Sequence, residues 1–317
     1  MHLTVLPTPV RDTEGTTLPG TVLRARSGFY TVRLDDGALL ECRLRGRVKQ
    51  ERGDSDLVVI GDRVNVAPRT DGEAMIESIE PRRTRFSRRQ PGPRGSWKED
   101  MIVANLDQVL VVFACADPMP HLRMVDRFLV VAEVNRLPAV ICANKLDLVT
   151  REAAEELFDL YRGLGYTVIY TSANTGEGLP ELRTQLGGQV SVLSGPSGVG
   201  KSSLLNALQP GLGLLAKTVS QATFKGRHTT VYSELLPLEG GGFVADTPGI
   251  RSLGLWDVEP EELDAYFIDI KPYVAQCAFN DCTHTHEPGC AVLAAVEAGA
   301  IAASRYDSYK RLRLGEE

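Results

Sequence analysis

The chain has 317 residues, 43% of them hydrophobic and 24% charged, which is room for two or three domains, each with its own core. That composition is ordinary for a soluble globular protein, and no apolar run approaches the length needed to span a membrane as a helix. The net charge of −6 is unevenly spread: residues 1–100 carry 18 Lys+Arg against 15 Asp+Glu, and residues 101–317 carry 17 against 26. The opening MHLTVLPTPVRDTEG lacks the charged-then-apolar pattern of a secretory leader, so a cytoplasmic protein is expected.

Residues 20–80 read as about five short strands. In FYTVRL, Tyr30, Val32 and Leu34 alternate with Thr31 and Arg33; Asp35-Asp36-Gly37 is a hairpin turn; ALLECRLR resumes the alternation with Leu40, Cys42 and Leu44 facing in; DRVNVA and AMIESI follow. This predicts a small β-barrel, an OB-fold in preference to the SH3-like closure that the same pattern fits. The stretch 82–98, RRTRFSRRQPGPRGSWK, holds seven basic residues and no acidic one, the composition of a polyanion-binding segment. From about 101 the pattern changes. Apolar runs (DQVLVVFACA, LPAVICANK, YTVIYTSA, QVSVLSG, GGFVADTPG) alternate with helix-like stretches (HLRMVDRFLVVAEVN, TREAAEELFDLYRGLG, LPELRTQLGG, KSSLLNALQ). Strands apolar on both faces alternating with helices predict an α/β domain with a mainly parallel sheet. Cys115 and Cys142 fall in these runs and read as core thiols, with Cys42 also isolated. Beyond 256, VEPEELDAYFIDI, PGCAVLAAVEAGA and AASRYDSYKRLRL predict helices around a Cys/His loop, too few residues for a large core without a metal staple.

The chemical motifs each follow a strand, where open α/β sheets bind ligands. Gly195-Pro196-Ser197-Gly198-Val199-Gly200-Lys201-Ser202 fits GxxxxGK[ST]. Its glycines let backbone N–H groups converge on phosphates, Lys201 reaches the β and γ phosphates, Ser202 ligates Mg²⁺, and the following helix presents its positive end. In Asn144-Lys145-Leu146-Asp147, the carboxylate accepts from the paired N–H donors of guanine, Asn144 bonds the O6/N7 side and the Lys145 stem covers the ring. Adenine lacks that donor pair, so the motif selects GTP. Ser172-Ala173-Asn174 matches a loop that gives a backbone donor to guanine O6. In Asp246-Thr247-Pro248-Gly249, Asp246 holds Mg²⁺ through water and the Gly249 N–H senses the γ phosphate. In GRHTT (226–230) a threonine hydroxyl completes the Mg²⁺ shell, Thr229 in preference to Thr230. Cys277, Cys282 and Cys290, with His284 or His286, have the composition of a closed structural zinc site.

These motifs run NKLD, SAN, GPSGVGKS, GRHTT, DTPG. A standard GTPase runs GPSGVGKS, GRHTT, DTPG, NKLD, SAN. The present order is that series cut after DTPG and rejoined through its former ends, which a site built from spatially adjacent strand ends tolerates. DTPG then leads straight into the C-terminal region, so a shift there on hydrolysis would move that region bodily. The permuted order, the barrel before it and the Cys/His loop after it together resemble the circularly permuted, small-ribosomal-subunit-dependent GTPases of the RsgA family (YjeQ and YloQ), over essentially the whole chain.

The resemblance implies an OB-fold RNA-binding domain (1–85), a basic linker (86–100), a circularly permuted P-loop GTPase domain (101–255) and a mostly α zinc-binding domain (256–317). It implies a monomer that binds GTP/GDP, the 30S ribosomal subunit and 16S rRNA, and that acts late in subunit maturation by subunit-stimulated hydrolysis. It selects His284 over His286 as the fourth ligand of one structural Zn²⁺. Where Ras-like GTPases carry a water-orienting glutamine this chain has Ile250, so turnover needs an external trigger, and His228 is the candidate to orient the water. Arg82, Arg83, Arg85, Arg88 and Arg89 after the barrel, with RYDSYKRLR at the C-terminus, are the expected rRNA contacts. Two other readings, a GTP-regulated RNA-binding module with incidental hydrolysis and a P-loop small-molecule kinase, fit the motif set less well; NKLD with DTPG argues against the second.

Overall fold

The computed structural model describes residues 17–26, 28–46, 48, 58–68, 74–91, 97–212, 234–246 and 258–316; the side chains of 88–91, 97–100 and 246 lie outside this description. The described residues form two compact units. One holds those up to Asp107 with Leu186–Val192 and 234–246; the other holds Gln108–Gln185, 193–212 and 258–316.

The first unit opens with five strands, β1 (Leu18–Arg26), β2 (Phe29–Leu34), β3 (Leu39–Leu44), β4 (Arg63–Pro68) and β5 (Ala74–Ile79). They run β1-β2-β3-β5-β4, and β4 pairs back onto β1 to close the barrel, with β3 and β5 parallel. Val22, Tyr30, Val32, Leu34, Cys42, Val64, Val66 and Ile76 fill its interior; of the positions that the alternation turns inward, Leu40 and Leu44 are only partly buried against it. This is the OB-like barrel. The connection to the next strands is pinned by polar groups. The buried Asp62 carboxylate accepts from the Val59 N–H at 2.9 Å and from Arg82 at 2.7 and 2.9 Å. Gly61 has φ +85°, and a Cβ there would lie 2.0 Å from the Ala104 carbonyl oxygen, so only glycine fits.

Two expectations are corrected here. The stretch read as a basic linker is an antiparallel hairpin, β6 (Arg85–Pro91) and β7 (Trp97–Ala104), with Phe86 and Val103 buried. Arg82, expected to grip RNA, has a side chain only 1% exposed, because its guanidinium neutralises Asp62 inside the fold. Arg83 pairs with Asp107 at 3.0 Å but stays exposed, as does Arg85. The unit is completed by β11 (Val190–Ser194), β12 (Glu234–Pro237) and β13 (Phe243–Asp246); β11 and β13 are parallel, and β12 runs antiparallel to β13 and meets β1.

In the second unit β8 (Gln108–Ala114), β9 (Ala139–Asn144) and β10 (Thr167–Tyr170) are parallel in the order β10-β9-β8. Every residue of β8 and β9 is buried, as apolar runs without alternation require. The helices are α1 (Leu122–Val134), α2 (Arg151–Gly163), α3 (Leu179–Leu186), α4 (Lys201–Leu208), a single turn α5 (Lys271–Val274), α6 (Ala291–Glu297) and α7 (Ala303–Leu314). Thr150 caps α2, its hydroxyl accepting from the Ala153 N–H at 3.3 Å. α1 packs against β8 and β9 on one side and α7 on the other, which is why its apolar surface exceeds one stripe. VEPEELDAYFIDI, expected as an α-helix, contains only a 3₁₀ segment, Pro260–Ala265.

Two members of the C-terminal basic-aromatic stretch, Arg305 and Tyr309, are also internal, while Tyr306, Lys310, Arg311 and Arg313 are half-buried. Arg305, on α7 and 1% exposed, donates to Asp126 of α1 at 2.7 Å and to Asp269 at 2.7 and 3.1 Å. Burial opposes its charge, but the hydrogen bonds to Asp269 and the charge of Asp126 outweigh burial and hold the guanidinium above its ordinary pKa. Tyr309 is fully buried, stacked edge-on to Phe267. Val130 of α1 shares a core with Leu263, Phe267, Ile270, Val292 and Ile301. No helix among the described residues is long and apolar enough to cross a membrane.

Candidate nucleotide site and metal centre

The loop Gly195–Gly200 leaves the end of β11 and enters α4, whose Leu204, Leu205 and Leu208 anchor it inward. Two glycines are sterically compelled. Gly195 has φ +141° and passes so close to β8 that a Cβ would lie 2.1 Å from the Val112 carbonyl oxygen. Gly200 has φ +95°, and a Cβ there would lie 2.5 Å from Asn144 Nδ2. The second contact joins the phosphate-type loop to NKLD. Asn144, at the end of β9 and 1% exposed, donates from Nδ2 to the Val199 carbonyl at 2.9 Å and accepts at Oδ1 from the Thr171 hydroxyl at 3.1 Å. Its side chain thus ties three loops together; one amide N–H is spent on Val199, and the other is the group available to a ring nitrogen or oxygen.

Lys145 adopts the left-handed conformation, φ +60°, and its ammonium donates to the Asp117 carbonyl. Asp147 is exposed, and both its carboxylate oxygens are oriented, Oδ1 by the Ser172 hydroxyl and Oδ2 by Asn174 Nδ2 at 2.9 Å. These two hydrogen bonds, Ser172 first, hold the carboxyl below its usual range. The Ser172 N–H is committed to the Glu177 carbonyl at 3.0 Å, so the loop's backbone donor falls to Ala173, whose N–H meets no acceptor among the described residues. The Ser172 hydroxyl therefore aims Asp147. Lys201 folds back on its own loop, Nζ donating to the carbonyls of Gly195 at 2.7 Å and Pro196 at 2.5 Å. Ser202 follows at the first turn of α4, half-buried. His228, Thr229, Gly249 and Ile250, with the side chain of Asp246, lie outside the described residues. Thr171 and Asn174 complete the constellation as residues to which the sequence reading gave no individual role; both lie within or beside SAN, which was the signal to follow.

Cys42, Cys115 and Cys142 are buried core thiols, each pushed up to about 12 chiefly by burial. The other three cysteines converge. One donor atom each from Cys277, Cys282, His284 and Cys290 lies within 4.8 Å of all the others, and the cluster could hold a metal ion. His284 Nδ1 sits 3.4 Å from Cys277 Sγ and 3.5 Å from Cys290 Sγ, and the two sulfurs are 3.9 Å apart. Tetrahedral zinc, with bonds of about 2.3 Å to sulfur and about 2.0 Å to nitrogen, requires edges of roughly 3.5–3.8 Å, and these three edges lie close to that range. Asp264 Oδ2 lies 3.2 Å from His284 Nε2, which aims Nδ1 at the sulfurs. His286 is exposed and bonded to Thr285 instead. Asp264 is a partner that sequence spacing could not reveal.

Comparison with known proteins follows the same lines. Residues 19–76 match the family model for the RsgA N-terminal domain and residues 79–256 that for the RsgA GTPase. A relative from Gemmatimonas aurantiaca, named small ribosomal subunit biogenesis GTPase RsgA, is 49% identical over 300 residues, 94% of this chain and 97% of its own. One of the same name from Moorella thermoacetica is 45% identical over 292 residues, 92% and 95% of the two chains. The crystal structure of YjeQ from Thermotoga maritima aligns with a TM-score of 0.77 at 37% identity, covering 95% of this chain and 98% of that one. That of YloQ, described as a circularly permuted GTPase, aligns at 0.74 and 30% identity, covering 97% and 98%. With a barrel, a permuted GTPase motif order and a Cys/His-bearing helical region in one chain, this protein belongs to the RsgA GTPase family.

Proposed function

We propose that this chain hydrolyses GTP to GDP and phosphate while bound to the small ribosomal subunit, and that it acts late in the biogenesis of that subunit. The observation that carries the reading is the hydrogen bond from Asn144 to Val199, which fixes the guanine-type motif against the phosphate-type loop in one compact unit. The relatives that bear the subunit's name supply the partner.

On this reading Asp147 accepts from guanine, Asn144 and the Ala173 N–H face its O6/N7 edge, and Lys145 covers the ring. The backbone from Gly195 to Ser202 cradles the phosphates, and Lys201 exchanges its loop carbonyls for phosphate oxygens. Ser202, Thr229 and, through water, Asp246 would hold Mg²⁺, which offsets charge building between the β and γ phosphates when bound. Gly249 contacts the γ phosphate. Water attacks the γ phosphorus and the bond to the β-bridging oxygen breaks. With Ile250 unable to orient that water, His228 does so when the subunit is bound. Cys277, Cys282, His284 and Cys290 hold a structural zinc. The domains divide as 1–85, 101–255 and 256–317, with 86–100 belonging to the hairpin between the first two, 16S rRNA is the surface recognised, and the protein works as a cytoplasmic monomer.

The test is steady-state GTP hydrolysis with purified small subunits, large subunits serving as control. Strong stimulation by small subunits alone is expected; equal turnover with and without them would overturn the reading.

A further inference from the structure

β12, only four residues long, is held from both sides. β13, which ends on Asp246, pairs with it antiparallel, and so does β1 of the barrel. Register sets Arg24 of β1 opposite Glu234 of β12, and Glu234 opposite Asp246 of β13. One row therefore runs from the barrel to the aspartate proposed to hold Mg²⁺, within one compact unit. Between Val22 and Arg24, β1 carries one residue more than β2, a bulge at the point where its other edge passes from β4 to β12. The Arg24 guanidinium is paired with the carboxylate of Glu234, whose side chain is 15% exposed. A second contact joins the barrel to β13: the Arg33 guanidinium of β2 lies 5.7 Å from the ring centroid of Phe243.

Acidic residues directly opposite one another in a sheet repel, and an opposite charge across the next strand offsets that. Glu234 and Asp246 are such a pair in register, and Arg24 is the cation of their row. Its charge is already committed to Glu234, so the row serves the seating of β12 on β13 and not the capture of a ligand. Deprived of β1, a four-residue β12 would be a bare edge strand, weakly fixed in register. We propose that Arg24 is a positioning residue for GTP hydrolysis: by fixing Glu234 it fixes β12 on β13, and so the strand end that carries Asp246. It acts through Glu234, not by contact with the nucleotide. This role deepens the proposed function and rests on it for the reaction, while exchange of backbone amides tests it apart from any reaction.

The full chain is studied without ribosomal subunits, so that subunit affinity plays no part. Arg24→Glu, Arg24→Lys, Glu234→Gln and the double variant Arg24→Glu/Glu234→Gln are compared with wild type. The readings are kcat and KM of intrinsic GTP hydrolysis and amide hydrogen exchange in peptides spanning 234–246. Arg24→Glu sets three acids in the row; it should lower kcat about two- to tenfold with KM unchanged and speed exchange over 234–246. Exchange over β2 and β3 should stay as in wild type, the sign of an intact barrel. Arg24→Lys should keep the wild-type kcat. Glu234→Gln breaks the pair without adding charge and should lose roughly twofold. In that background Arg24→Glu should cost less than it does in wild type. Unchanged kcat and exchange in Arg24→Glu overturn the positioning role, as does an equal cost in the two backgrounds or a raised KM at unchanged kcat. If wild-type turnover ignores small subunits while Arg24→Glu still loses intrinsic turnover through Glu234, the positioning role stands and the proposed function falls.

Discussion

Asp147 meets solvent with both oxygens already aimed, by Ser172 and by Asn174. A lowered carboxyl pKa means the anion persists as pH falls, so affinity for GDP should be flat between about pH 8 and 5, and an acid limb inside that window would contradict the geometry. Asp147→Asn removes the charge-assisted pair to guanine, about 1.5–3 kcal/mol, and should weaken a fluorescent GDP analogue roughly ten- to a hundredfold. His228→Ala is expected to abolish subunit-stimulated hydrolysis and to spare GTP binding; unchanged stimulated turnover would remove His228 from the mechanism. At this scale the sequence was most legible where chemistry dictates identity, as in NKLD and the glycines at 195 and 200. It was least legible where identity is shared by unlike roles. Arg82 sits beside Arg83 and Arg85 in the sequence and is told apart only by Asp62, 20 residues upstream.

Among the elements, the strands of the barrel and of the parallel sheet followed their alternating or continuous apolar patterns. The hairpin β6–β7 did not, because its run of arginines read as a basic linker and masked the alternation around Phe86. β12, only four residues long, carries too little pattern to stand out. The hairpin has a structural foundation that can be measured. Arg82→Ala leaves the Asp62 carboxylate buried without its cation, a loss of about 3–5 kcal/mol by comparison with similar pairs. Chemical denaturation should show this as a lowered midpoint, and Arg85→Ala, which alters an exposed side chain, should leave the midpoint in place. Equal effects of the two would return Arg82 to the surface set.

For the whole molecule, the sequence foretold a helical C-terminal region around a Cys/His cluster but not its attachment. Val130 and Asp126 lie on a helix of the α/β layer, 130 or more residues before the C-terminal helices they join, and no local pattern announces such pairing. Removing the metal should therefore be felt beyond the cluster. Cys290→Ser should lower bound zinc from one equivalent per chain to well below one, measured by elemental analysis, and should reduce helical signal and melting temperature together. Full zinc occupancy in the variant would exclude Cys290 from the ligand set.

Arg305 sets a limit on how the protein can be taken apart. A chain ended at the last GTPase motif would keep Asp126 inside its helix layer with no cation to answer it and would bare Val130 to water. The catalytic half has no finished surface of its own there. Any GTPase core excised from this chain is a damaged object, and its turnover would report on that damage as much as on the missing region. Likewise, a nucleotide-driven displacement of the C-terminal helices has to carry α1 with them or break a buried ion triad, so the two must be treated as one moving part.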